Sequence, residues 1–136
     1  MKKNIFLLTL LVIAIVSQSF QDKPKFDLKA SMAKGKEVYT TYCMSCHMEA
    51  GEGIEDVYPP LAKSDYLMVD KARSIKQILY GANGPMKVNG KTYNAEMTGF
   101  DLSDQEVSDL ANYIRNSFGN KGPSVTPEEV KAARNK

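Results

Sequence analysis

Cys43-Met44-Ser45-Cys46-His47 is the stretch on which the reading of this chain turns. Its thiols are the only 2 cysteines, and its imidazole the only histidine, in 136 residues. An incidental placement of the one histidine directly behind the pair is a coincidence on the order of one in a hundred. A thioredoxin-like redox dithiol belongs at the start of a helix that follows a strand, in an α/β pattern. Here the pair closes a helical stretch, and no strand–helix–strand alternation surrounds it. A structural zinc site would have to complete its ligand set with a carboxylate, because there is no second histidine or cysteine pair. Two cysteines are also too few for a disulfide framework.

The string Cys-x-x-Cys-His is the attachment sequence for c-type haem, and the reason is geometric. Two thiols three positions apart at a tightening helix end can each add across one of two vinyl groups on the same porphyrin edge. The adjacent His47 then stands beneath the iron as an axial ligand.

On the N-terminal side of the motif, Met32, Gly35, Val38, Tyr39 and Tyr42 recur at helical spacing behind Ser31, a good N-cap. A helix is expected to run from there into the motif. Residues 20–30, FQDKPKFDLKA, mix charges without periodicity and read as a flexible leader. Residues 1–19, MKKNIFLLTLLVIAIVSQS, show two lysines, an uncharged run and a small-residue Ser17-x-Ser19 site, the layout of a secretory signal peptide. The run Ile5–Val16 has 12 residues, and 16 if extended to Phe20. That is short of the roughly 20 that cross a bilayer, so cleavage is expected over retention as an uncleaved anchor. An exported protein keeps a thiol pair oxidised, occupied or catalytic.

On the C-terminal side, Glu49–Pro60 is acidic and rich in Gly and Pro, a loop. Ser64–Val69 reads as a short helical turn. Asp70–Tyr80 reads as a short helix with Ile75, Ile78 and Leu79 on one side, stopped by a left-handed Gly81. Residues 82–101 read as loop with a tight turn at Asn89-Gly90, flanked by strands too short for a sheet. Ser103-Asp104-Gln105-Glu106 is a capping box that opens a helix with Val107, Leu110, Ala111, Ile114 and Phe118 as its buried stripe, ending at Gly119. Thr126-Pro127-Glu128-Glu129 starts a marginal helix in a tail, 120–136, expected to add little core.

The fold class expected is all-α: three to four short helices and long loops in one domain, 31–119. About two dozen apolar side chains make a thin core for roughly 117 mature residues. A buried porphyrin face, at roughly 25 cal/mol per Å², would add on the order of 10 kcal/mol and complete it. Composition is ordinarily globular, 43% apolar and 25% charged. The formal charge of +2 falls to zero once Lys2 and Lys3 leave with the signal segment. No nucleic-acid partner is expected, since such binding rests on phosphate neutralisation by a basic excess. The lysines at 23, 25, 29, 34 and 36 and the acids Glu49, Glu52, Glu55 and Asp56 read first as solvated faces.

Residues 31–119 resemble the class I monohaem cytochrome c family, a small fold wrapped around one covalently bound haem c. Gly35-x-x-x-Tyr39-x-x-x-Cys43 resembles its first helix, whose glycine admits the last helix at close range. Leu110 and Tyr113 resemble the residues of that last helix that pack there, and Pro59-Pro60-Leu61 resembles the segment whose prolyl carbonyl accepts the proximal histidine's N–H. The resemblance implies Cys43 and Cys46 as the thioether attachments, His47 as the proximal iron ligand, and a methionine before the last helix as the sixth. Tyr93–Phe100 occupies that place and points to Met97, with Thr98 where the family often has proline. Met86, behind Gly84-Pro85, is the competitor. Met44 and Met48 belong to or abut the motif, Met32 and Met68 read as packing, and Tyr93 is open between a propionate partner and packing.

With His47 and Met97 both on iron, no position is left for a substrate. The resemblance therefore implies one-electron transfer, not enzyme catalysis, by a periplasmic or otherwise extracytoplasmic carrier with weakly docking redox protein partners as electron donor and acceptor. Such a chain is a monomer or a subunit of a redox complex, and touches a membrane only through a retained N-terminal segment. The alternatives are a haem subunit or accessory of a larger oxidoreductase, with 120–136 as a docking segment, and a ligand sensor or peroxidase with a labile Met97. A di-haem peroxidase lacks the second Cys-x-x-Cys-His it would need.

Overall fold

The computed structural model describes residues 26–135; the signal segment 1–19 and positions 20–25 lie outside the described residues. The first helix, α1 (Leu28–Tyr42), starts earlier than expected. Asp27 is its N-cap, with the carboxylate accepting the Ala30 amide at 3.0 Å. Residues 28–30 are thus helix and not leader. Ser31, relieved of capping, is buried and donates its hydroxyl to Asp109 Oδ1 at 2.5 Å. Aspartate caps as well as serine does, and the serine hydroxyl is spent on a distant partner that local sequence cannot display.

A kink at Cys43 separates α1 from α2 (Met44–His47). Two further helices follow the acidic loop. Ser64 caps α3 (Asp65–Val69) through the Leu67 amide, and Asp70 caps α4 (Lys71–Tyr80) through the Arg73 amide. The expected capping box of Ser103 and Glu106 opens α5 (Asp104–Asn116), and a second, of Thr126 and Glu129, opens α6 (Pro127–Arg134).

Between α4 and α5 the expected loop contains two short antiparallel ladders. In one, β1 (Gly81–Ala82) pairs with β4 (Met97–Thr98), Gly81 opposite Thr98 and Ala82 opposite Met97. In the other, β2 (Met86–Val88) pairs with β3 (Lys91–Tyr93) around the anticipated Asn89-Gly90 turn. Strands of two or three residues are shorter than the window in which a period of two becomes visible. Gly81 does end α4, but at φ 80° and ψ −171°, a region open essentially to glycine alone, so the chain leaves the helix extended and enters the ladder directly.

The core is organised by α1 crossing α5. A Cβ on Gly35 would lie 1.9 Å from the Asp109 carbonyl oxygen and 2.8 Å from Tyr113 Cβ, so the two backbones meet without a side chain between them. Tyr39 stacks beside this crossing on Tyr113 and Phe118, with ring centroids 5.4 and 5.2 Å apart. The stripe Val107, Leu110, Ala111 and Ile114 is buried as expected, but the helix stops at Asn116 and not at Gly119, and Phe118, expected on the stripe, follows it at φ 56° and packs partly buried against it from the loop.

The tail contradicts its expectation. Val125 and Val130 are both 0% exposed, and Ala133 is buried with them in the main core. The Asn112 side chain pairs with Val125 as a strand would, accepting from its amide at 2.7 Å and donating to its carbonyl at 2.8 Å. Ser108 donates to the same carbonyl. The apolar face of α6 is therefore already covered by the chain's own core. Val125 precedes the helix, so helical periodicity alone could not enlist it. Among the described residues, no helix is long and apolar enough to cross a membrane.

Gly35→Ala is expected to force α1 and α5 apart, costing about 3 kcal/mol and lowering the thermal midpoint on the order of 15 °C, as followed by circular dichroism. An unchanged midpoint would show that the crossing has slack.

Candidate functional site

The kink at Cys43 gives the motif its shape. The Cys43 amide still bonds the Tyr39 carbonyl at 2.9 Å, closing α1. The Cys43 carbonyl then accepts the amides of Cys46 and His47 at 3.2 and 2.9 Å, opening a separate turn. Both thiols are free, with Cys43 buried and Cys46 half-buried, and both line a single cavity of about 360 Å³. Burial, and then the neighbouring Cys46, push the Cys43 thiol up to about 12. It sits protonated and neutral in an apolar wall.

His47 lines the same cavity. Burial holds its pKa below the usual histidine range, partly opposed by a hydrogen bond to the Pro59 carbonyl. His47 Nδ1 donates to that carbonyl at 3.0 Å. A carbonyl only accepts, so the proton is on Nδ1 and Nε2 keeps a free lone pair, the tautomer a metal-binding imidazole needs. The acidic loop makes this contact possible by curling back on itself. The Gly53 amide bonds the His47 carbonyl at 3.0 Å, and the amides of Leu61 and Ala62 bond the Gly51 carbonyl at 2.7 and 2.8 Å. The Tyr39 hydroxyl donates to the Met48 carbonyl at 2.6 Å and ties this loop to the core.

Met97, on β4, also borders the cavity, so all four residues singled out from sequence converge on one space. Met86 borders it too. Tyr93 does not: it is buried opposite Met86 across the β2–β3 hairpin. Leu67, Ile78, Leu110 and Ile114 supply the apolar back wall. Two polar lining residues carried no sequence signal: Tyr66 and Gln77, joined by a 3.2 Å hydrogen bond from the Gln77 amide to the Tyr66 hydroxyl. Behind the wall, Arg115 is 2% exposed and donates to the Leu67 carbonyl at 2.6 Å, with its pKa lowered by burial.

The residues fit a haem c. The cavity falls in the size range of cofactor sites and is mostly apolar. Among its lining residues, those suited to an iron porphyrin are one imidazole, two thioethers and two thiols, with hydroxyls and the Gln77 amide as further polar groups. A bare metal ion held by protein alone does not fit, since no group of three His, Cys, Asp or Glu side chains gathers among the described residues.

Comparison with known proteins points to one family. Residues 32–118 match the protein-family model described as Cytochrome c. The chain is 35% identical over 119 residues to cytochrome c-552 of Thermus thermophilus, a match covering 80% of each protein. It is 32% identical over 103 residues to the cytochrome c subunit of a quinone alcohol dehydrogenase of Gluconobacter oxydans, covering 74% of this chain but only 22% of that subunit. A third relative is the CcoP subunit of a cbb3-type cytochrome c oxidase of Azospirillum brasilense, 33% identical over 98 residues and matched over 30% of its length.

Without a porphyrin the apolar back wall of this solvent-open cavity faces water, and the burial that the ring would supply, on the order of 10 kcal/mol at roughly 25 cal/mol per Å², is lost. That equals the whole stability of an ordinary small domain. The chain made without haem attachment is therefore expected to show no cooperative thermal transition by circular dichroism, while the haem-loaded protein shows one. A sharp transition in the haem-free chain would refute this.

Proposed function

The chain belongs to the class I cytochrome c family, and on that premise we propose that it is an exported one-electron carrier whose single haem c is attached through Cys43 and Cys46 and ligated by His47 and Met97. What supports the reading is the convergence of two free thiols, a neutral imidazole oriented by the Pro59 carbonyl, and a thioether on one cavity. When bound, the haem supplies an iron that cycles between two oxidation states. The protein's part is to hold the two thiols on one edge, keep His47 desolvated and unprotonated, and offer the Met97 thioether as a second ligand, which would leave no room for a substrate on the metal. Thioether ligation raises the reduction potential relative to a second nitrogen ligand, which suits an oxidising-side carrier. Met97 is favoured over Met86 because it stands in the segment directly before α5, where the family carries its methionine. Export is supported by the signal-like residues 1–19.

A second reading, as a haem subunit of a larger oxidoreductase, is favoured by relatives that are themselves dehydrogenase and oxidase subunits. Against it stands the folded tail, whose apolar side chains are committed to the chain's own core. Co-purification with a dehydrogenase at a fixed ratio would decide for the subunit.

Expressed with haem-maturation machinery, the wild-type protein is expected to stain for haem on a denaturing gel, and the Cys43→Ser/Cys46→Ser double variant to lose the stain. Met97→Ala is expected to lose the far-red thioether-to-iron absorption band and to lower the reduction potential, with Met86→Ala keeping both. The reverse pattern would transfer the ligand role to Met86.

A further inference from the structure

Met97 is held by a very short ladder. β1 and β4 contribute two residues each, and the pairing continues through a 3.0 Å bond from the Phe100 amide to the Ile78 carbonyl. So small a pairing has little stability of its own, yet it carries the side chain on which the sixth position depends. The two ends of the ladder meet again at one residue of α6. The Tyr80 hydroxyl, from the residue directly before β1, donates to the Arg134 carbonyl at 3.1 Å. The Arg134 guanidinium donates through Nη2 to the carbonyl of Leu102, beyond β4, and through Nε to Asp104 Oδ1 at 2.6 Å. Arg134 thus bridges the chain that enters the ladder and the chain that leaves it.

The bridge has a rigid backing. Val130 and Ala133 seat α6 in the core, Lys71 holds its first turn through Glu129 at 2.5 Å, and Asn112 pins Val125 just before it. The Arg134–Asp104 pair is about one-third exposed on each side, 32% and 30%. It is therefore partly shielded from water, and charge-assisted bonds of this kind are roughly twice as strong as neutral ones.

We propose that Arg134 is a positioning residue for the sixth ligand: its backbone carbonyl holds the chain that enters the β1–β4 ladder and its guanidinium the chain that leaves it, which keeps the Met97 thioether in place, and loss of either contact raises the fraction of molecules in which that position is open. The proposal rests on the reading of Met97 as the ligand. An added ligand that binds only with the thioether withdrawn has an apparent affinity proportional to the open fraction. Imidazole is such a probe. Titrated into the folded oxidised holoprotein, it reads local opening, which a merely global loss of stability leaves unmoved while the native state dominates.

The experiment is imidazole titration of the haem-loaded wild type, Arg134→Gln and Tyr80→Phe, following loss of the far-red band, with Met97→Ala alongside. Arg134→Gln is expected to bind imidazole about tenfold more tightly, and Tyr80→Phe, which removes only one exposed phenol, about threefold. Helix content should match wild type. Should Arg134→Gln not accumulate, Tyr80→Phe and Asp104→Asn each remove one partner of the clamp and are expected to tighten imidazole in the same direction. Wild-type affinity in these variants, with Met97→Ala lacking the band, overturns the clamp and leaves the ligand assignment standing. If Met97→Ala keeps the band, the ligand assignment falls and the clamp falls with it.

Discussion

The contact between Gly35 and the Asp109 carbonyl sets the distance at which α1 crosses α5, and the remaining geometry is built out from it. At that separation Tyr39 reaches Tyr113 and Phe118, and its hydroxyl reaches past the motif to the Met48 carbonyl. The register is locked by buried polar groups as well as by shape. Ser31 of α1 donates to Asp109 and accepts from Asn112, which in turn pairs with Val125 of the tail. Each group in this network has its partner, which is the condition under which buried polarity specifies one arrangement without a large cost. With α1 fixed on α5, the C-terminal end of α1 delivers Cys43 to a space whose back wall is Leu110 and Ile114 of α5 itself.

The site's chemistry follows from desolvation. Burial disfavours charge on both the Cys43 thiol and the His47 imidazole, and the Pro59 carbonyl decides which ring nitrogen carries the proton. An apolar chamber with one oriented imidazole and soft sulfur donors suits an iron porphyrin whose charge changes by a single electron. The acids that follow the motif are partly drawn into the fold. Lys91 of β3 holds Glu55 at 2.9 Å and Asp56 at 2.8 Å, so the acidic loop after His47 and the β2–β3 hairpin are joined at the surface. These groups are exposed, so their pairing steadies local geometry more than it adds stability.

Local signals were legible wherever the physics is local. The Ser103–Glu106 capping box, the α5 stripe, the Asn89-Gly90 turn and the end of α4 at Gly81 each depend on neighbours within a few positions, and each is present. The misplaced start of α1 came from reading Ser31 as the cap, whereas Asp27 caps four positions earlier and the Ser31 hydroxyl serves the distant Asp109. The underestimated tail came from Val125, whose partner Asn112 lies 13 positions away. Tyr66 and Gln77 carried no signal because a polar residue on a short helix reads as solvent-facing until the opposite wall of a cavity is in place.

Five consecutive residues carry the signal for the covalent chemistry: thiol spacing and an adjacent imidazole need nothing beyond their own turn to announce a porphyrin attachment. The sequence alone therefore determined the cofactor, the helical class and the order of the elements. Tertiary structure alone decided that Pro59 meets His47, that Met97 and Met86 face one chamber, and that α6 folds back to hold both ends of a two-residue ladder. The division follows range. A spacing along one helical turn is written in the chain, whereas a contact between residues tens of positions apart exists only once the α1–α5 crossing has set where every other element lies.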